Sequence, residues 1–184
     1  MTCIVAIEHE GIVHLGSDSF LGGAFTRDQL DRPKFFTKGP RFVIGFAGGL
    51  RGAQIVEHDI DFRKWRKTES EESYLVTEVA KKLQTAFKKV GASILDEGHV
   101  ESHDSYFLVC INGRIFVIQE DYSVIRSRHG FAAIGAGQDF ALGTLYSLEK
   151  WASKMPPKAK VQAALEVASE FSPQVCGPFH IVEV

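Results

Sequence analysis

This sequence predicts an α+β chain folded as a four-layer αββα sandwich, and three observations carry the prediction. Strand-like runs come in two blocks, and each block is followed by helix-like segments. Each block also contains a hairpin signal. A last short strand-like run, Phe179 to Val184, closes the chain. Hairpin-rich strand blocks interleaved with helix pairs bury their apolar faces as two packed sheets, each covered by helices on its outer side.

The elements follow in order. From Thr2 the chain reads T-C-I-V-A-I-E-H, then E-G, then I-V-H-L-G-S-D-S, two β-rich runs about a glycine turn. A polar, glycine-containing stretch, Leu21 to Arg32, leads to strands at Lys34 to Thr37 and Arg41 to Ala47, the second ended by Gly48-Gly49. From Leu50 to about Trp65, Ile55, Val56, Ile60 and Phe62 recur at three- and four-residue steps, the period of a helix crossing a core. The charged segment Arg63 to Glu72 reads as a solvated loop or helix end. Leu75, Val79, Leu83, Ala86, Phe87 and Val90 then mark an amphipathic helix from Ser73 to about Ala92, with lysines on its other face.

After a hydrophilic loop come Y-F-L-V-C-I and R-I-F-V-I, separated by Asn112-Gly113. Asn-Gly between such runs signals a type I′ hairpin, because both central residues need positive φ. Strand-like runs at Tyr122 to Ser127 and Phe131 to Gly137 follow. Helices are expected from Gln138 to about Ala152 and from Lys158 to about Phe171, the latter after Pro156-Pro157. At 184 residues the chain suits one domain, 1–184, and it shows neither a solenoid repeat nor a low-complexity linker.

Composition excludes several classes. A net charge of −2 gives no basis for binding nucleic acid or an anionic membrane. No apolar run approaches the ~20 residues of a membrane span, and the start is not a signal peptide, so a cytoplasmic protein is expected. Cys3, Cys110 and Cys176 show no CxxC spacing and read as small buried hydrophobes. His9 and His14 flank a turn, and His99 and His103 sit four apart in a loop; all read as surface histidines, since zinc needs three or four converging ligands. The glycine-rich pieces G-F-A-G-G and G-A-G lack the Lys-Ser/Thr of a phosphate loop, and G-S-D-S lacks the closing glycine of a serine-hydrolase elbow. No cofactor is indicated.

One residue carries chemistry by position. Thr2 follows the initiator methionine and opens a strand. If Met1 is removed, its hydroxyl nucleophile and its α-amine base, with a pKa near ~8, lie on one residue.

The surroundings of Thr2 give this a context. M-T-C-I-V-A-I, Asp18 in G-S-D-S, Lys34 in R-P-K-F and G-F-A-G-G at Gly45 to Gly49 stand in the order and spacing found in the proteasome β-subunit superfamily. The whole chain resembles that superfamily of N-terminal-nucleophile hydrolases, and within it the bacterial HslV-like proteases. The resemblance implies the αββα fold and a threonine-type peptide hydrolase with Thr2 as nucleophile. It also implies Asp18 and Lys34 as site residues and the Gly48 N–H as oxyanion donor, with Gly22 and Phe46 beside the substrate pocket. A homo-oligomeric ring, a peptide or unfolded-protein substrate and an ATP-dependent unfoldase partner are implied as well. The chain departs from the pattern in two places. Gly135-Ala136-Gly137 lacks a serine hydroxyl that the family usually has, and Gln174 and Gly177, around Cys176, replace an aspartate and a serine. A non-catalytic ring scaffold and a small-amide hydrolase therefore stand as alternatives.

Overall fold

The computed structural model describes residues 2–22, 26–94 and 101–184. Two antiparallel sheets form its centre. The first has the order β10-β1-β2-β11, with β1 Ile4–His9, β2 Ile12–Ser17, β10 Phe131–Ile134 and β11 His180–Glu183. The second has the order β5-β6-β7-β8-β9, with β5 Phe35–Gly39, β6 Phe42–Gly48, β7 Ser105–Ile111, β8 Arg114–Ile118 and β9 Val124–Ile125.

Side-chain alternation along each strand sorts the core into three layers, because successive residues point to opposite faces. On the first sheet Cys3, Val5, Ile7, Phe131 and Ala133 face α4 (Gln138–Trp151) and α5 (Pro157–Phe171), where Ala141, Leu145, Val161 and Leu165 meet them. On the second sheet Phe42, Ile44, Phe46, Phe107, Val109 and Ile111 face α1 (Leu50–His58) and the helical stretch that follows it. The remaining alternates, among them Ile4, Ala6, Leu15, Val43, Leu108, Cys110 and Ile134, meet between the sheets. Burial on both faces explains why these strands read as nearly continuous apolar runs. The expected four layers are present.

The helix between the strand blocks comes in three consecutive pieces: α2 Glu71–Tyr74, a π-helical segment Leu75–Ala80 and α3 Lys81–Lys89. Ser70 caps it, its hydroxyl accepting from the Ser73 N–H at 3.1 Å. The apolar period was legible; the wider π turn was not.

Other boundaries differ from the sequence reading for identifiable reasons. Helix α1 ends at His58, before the expected Trp65, and Lys38 donates to the freed carbonyls of Glu57 and Ile60 at 3.1 and 2.6 Å. Ile60 and Phe62 still join the core, but from irregular backbone. The polar stretch Leu21 to Arg32, to which no element was assigned, takes part with Phe20 in a two-stranded ribbon, β3 Phe20–Gly22 and β4 Arg27–Gln29. The run Tyr122 to Ser127 pairs only over Val124–Ile125. Asn112 and Gly113 adopt φ of 50° and 80°, the values a type I′ hairpin needs.

Three hairpin turns interlock at the end of β1 far from Thr2. The Asn112 N–H donates to the Arg41 carbonyl at 3.0 Å, and the Arg41 guanidinium donates to the Gly11 carbonyl. A side chain at Gly113 would overlap the Gly11 backbone. Those contacts pin the register of both sheets, which sets what gathers at the opposite end. Among the described residues no helix is long and apolar enough to cross a membrane.

Candidate active site

Antiparallel register assembles the site from distant parts of the chain. Ile4 lies opposite Ser17 on one side and Ile134 on the other, so the residues just before β1 adjoin those just after β2 and β10. Phe35 lies opposite Gly45, which brings Lys34 beside the same corner. Thr2, Asp18 and Lys34 all meet there, and they are 3%, 0% and 2% exposed.

Asp18 is the centre of the arrangement. One carboxylate oxygen accepts from the Cys3 N–H at 2.9 Å and from Lys34 Nζ at 2.8 Å, and the other accepts from the Phe20 N–H at 3.0 Å. The Asp18 N–H in turn donates to the Cys3 carbonyl at 3.1 Å. The Lys34 ammonium is thereby fixed two hydrogen bonds from the Thr2–Cys3 peptide. A buried ammonium is tolerable only because a carboxylate faces it. Burial lowers the pKa of Lys34 below that of an ordinary lysine, and Asp18 opposes the shift.

The Thr2 carbonyl is held from the other side, accepting from the Gly137 N–H at 3.3 Å. Gly135 has φ +93°, and a Cβ there would overlap that carbonyl, so glycine meets two requirements at once. Gly48 ends β6 at φ +119° with its backbone exposed and packed against Asp104 and Ser105.

The other candidates fall elsewhere. Gly22 ends β3, and a Cβ there would stand 2.5 Å from the Thr26 carbonyl oxygen. Phe46, expected to wall a substrate pocket, is 5% exposed and turned to the helix side, its ring 6.4 Å from that of Phe36. It sits on the core side of β6 because it shares a face with Phe42 and Ile44. Ala136 is exposed and Gln174 half-buried. Met1 and His99 lie outside the described residues. Of the histidines read as surface groups, His9 is exposed, but His14 and His103 are buried at 8% and 2%. Among the described residues no three His, Cys, Asp or Glu side chains gather as a metal site.

Several neighbours went unassigned in the sequence. Ser17 Oγ accepts from the Lys34 N–H at 3.2 Å, and Ser19 reaches the loop after α5. Their signal was only their place on either side of Asp18.

The three cysteines are free and buried, as expected. Burial and the Asp18 carboxylate push the Cys3 thiol from 9.0 up to about 12, partly opposed by Lys34. Burial also pushes Cys110 up. A pKa raised on folding stabilises the folded state fully below the unfolded value, and this contribution is lost as pH rises through the folded one. The Cys3 share should therefore be complete below pH 9.0 and disappear between there and about pH 12. Thermal melts at stepped alkaline pH should show a steeper loss for the wild type than for Cys3→Ala; identical slopes would contradict the assignment.

No family model matches the chain. In sequence it is similar to the ATP-dependent protease subunit HslV of Pediococcus pentosaceus, 25% identical over 179 residues, covering 92% of this chain and 86% of that one. In structure it is similar to BPH of Thiobacillus denitrificans in complex with epoxomicin, with a TM-score of 0.79 at 17% identity, covering 99% of this chain and 97% of that one. It is also similar to eukaryotic HslV from Trypanosoma brucei, with a TM-score of 0.73 at 18% identity over 98% of both chains.

Proposed function

We propose that this chain, which has the HslV-like, proteasome-type fold of the N-terminal-nucleophile hydrolases, is a threonine-type peptide hydrolase whose nucleophile is Thr2 after removal of Met1. The observation that carries the reading is the Asp18 carboxylate shared between the Thr2–Cys3 peptide and the buried Lys34 ammonium. Nothing in simple core packing calls for a buried ion pair beside a chain terminus, since an apolar pair of similar volume is often as stable.

In the proposed reaction the Thr2 α-amine takes the proton of its own hydroxyl while Oγ attacks the scissile carbonyl. Lys34 favours this step, because its positive charge lowers the cost of developing negative charge on Oγ. The oxyanion of the tetrahedral intermediate accepts from the Gly48 N–H, a donor whose loss typically costs about 100- to 1000-fold in rate. Collapse breaks the C–N bond, and the α-ammonium returns its proton to the leaving amine. Water, deprotonated by the same amine, then hydrolyses the Thr2 ester and restores the hydroxyl. No cofactor enters these steps.

The wider reading is one domain over residues 1–184, assembled with copies of itself into a closed ring with its sites facing inward. Peptides or unfolded proteins are the substrates, an ATP-dependent unfoldase feeds them, and the protein works in the cytoplasm. A substrate strand would pass beside Gly22. Ala136, standing where a hydroxyl would orient the amine, favours a second reading, a ring scaffold without catalysis.

An α′,β′-epoxyketone separates the two, since it closes its ring only on a residue with both a hydroxyl and a free α-amine. Intact mass should show loss of the methionine followed by one inhibitor per chain. A chain lacking Met1 that stays unmodified would exclude the threonine mechanism and leave the scaffold.

A further inference from the structure

The loop after α5 is held against the site by one buried residue that the mechanism does not use. Ser19 follows Asp18 directly and is 0% exposed. Its N–H donates to the Cys176 carbonyl at 2.9 Å and its hydroxyl to the Pro178 carbonyl at 2.6 Å. The carbonyl between them, that of Gly177, accepts from Gln29 Nε2 at 2.6 Å. Three consecutive carbonyls of one loop are thus captured by β4 and by the residue beside the central carboxylate. The Ser19 carbonyl accepts from the Leu30 N–H at 2.8 Å, so Ser19 ties this loop to the residue that follows β4.

Elsewhere the loop is held by burial of Val175 in the helix-side core and by Ser169, whose hydroxyl donates to the Val175 carbonyl at 3.4 Å. It carries no regular structure between Ser172 and Phe179, and its inward residues, Val175 and Cys176, are 2% exposed. Val175 packs against Gly137, whose amide holds the Thr2 carbonyl. Loop position and the Thr2 carbonyl are therefore connected through Val175 and Gly137.

We propose that Ser19, assisted by Gln29, is a positioning residue that clamps the Ser172–Pro178 loop against the Thr2, Asp18 and Lys34 corner. The clamp keeps water from the ion pair and keeps Gly137 seated under Thr2. Its role in catalysis rests on the threonine reading; its role in closing the loop does not.

Two readouts on the full chain test it. Iodoacetamide alkylation of native protein, followed by peptide mass analysis, reports closure through Cys176. Ser19→Ala should speed Cys176 labelling about tenfold, because local opening replaces a held loop, while Cys3 and Cys110 stay protected. Hydrolysis of a fluorogenic peptide reports positioning. Ser19→Ala should lower kcat about tenfold, in the range expected for a small displacement of reacting groups, with KM nearly unchanged. Ser19→Thr keeps the hydroxyl and should restore both. Gln29 is exposed, so Gln29→Ala folds regardless and should move both readouts the same way by a smaller factor.

Wild-type labelling and kcat in both alanine variants would overturn the clamp. Faster labelling with unchanged kcat would overturn the positioning role. Failure of the epoxyketone to modify Thr2 would remove the threonine reading alone, and the labelling result would still decide the clamp.

Discussion

Thr2→Ala should abolish peptide hydrolysis, by about 10⁴- to 10⁶-fold in kcat, the range found when a covalent nucleophile is removed. The fold should survive. Thr2 is 3% exposed, and two backbone bonds at this position, from the Gly137 N–H to the Thr2 carbonyl and from the Cys3 N–H to Asp18, are kept by alanine. Thermal melting within about 1 kcal/mol of wild type is therefore expected, as for a small truncation away from a cavity. Thr2→Ser is the useful companion, because it keeps hydroxyl and amine and should retain measurable activity. Full activity in Thr2→Ala would end the threonine reading at once. Loss of activity together with loss of folding would show that the side chain matters to structure first.

Asp18→Ala is expected to destabilise the folded chain by about 3–5 kcal/mol, the cost of breaking a buried ion pair from one side. Three donors lose their acceptor together: the Lys34 ammonium and the amides of Cys3 and Phe20. For a chain of this size that corresponds to a fall in Tm of about 10 °C. The double variant Asp18→Leu with Lys34→Met should recover much of the loss, since it removes the stranded charge as well as its partner. It should nevertheless be inactive. Recovery of stability without activity would separate the pair's chemical role from its structural one. A single variant within about 1 kcal/mol of wild type would mean that water reaches Lys34, contrary to its 2% exposure.

Thr2, Asp18 and Lys34 were all legible in the sequence, whereas the residues that tie them together were not. Asp18 and Lys34 were implied by the resemblance, and the structure joins them in one ion pair that also holds the Cys3 N–H. Ser17 and Ser19 sat on either side of Asp18 without a signal, because a serine hydroxyl gains meaning only from the acceptor or donor opposite it. Cys176 was legible as a buried thiol and Gly137 as part of a glycine-rich piece, but neither showed its place beside the site. Phe46, which the resemblance places beside a substrate pocket, lies in the helix-facing core by its place in the alternation of β6.

What the sequence determined by itself was the layer order and the strand pairing that begins it. The β-rich apolar runs, the Asn112-Gly113 turn and the three- and four-residue spacing of Leu75 to Val90 are local patterns, and local sterics fix their outcome. Tertiary structure decided everything that depends on partners far apart in the chain. It stopped α1 at His58, where Lys38 takes up the carbonyls, and folded Phe20–Gly22 onto Arg27–Gln29. It also set Ser19 against a loop 159 positions away. The physical reason is that a hydrogen bond or buried charge is stabilising only when its complement arrives, and register across two sheets, not neighbouring sequence, brings that complement.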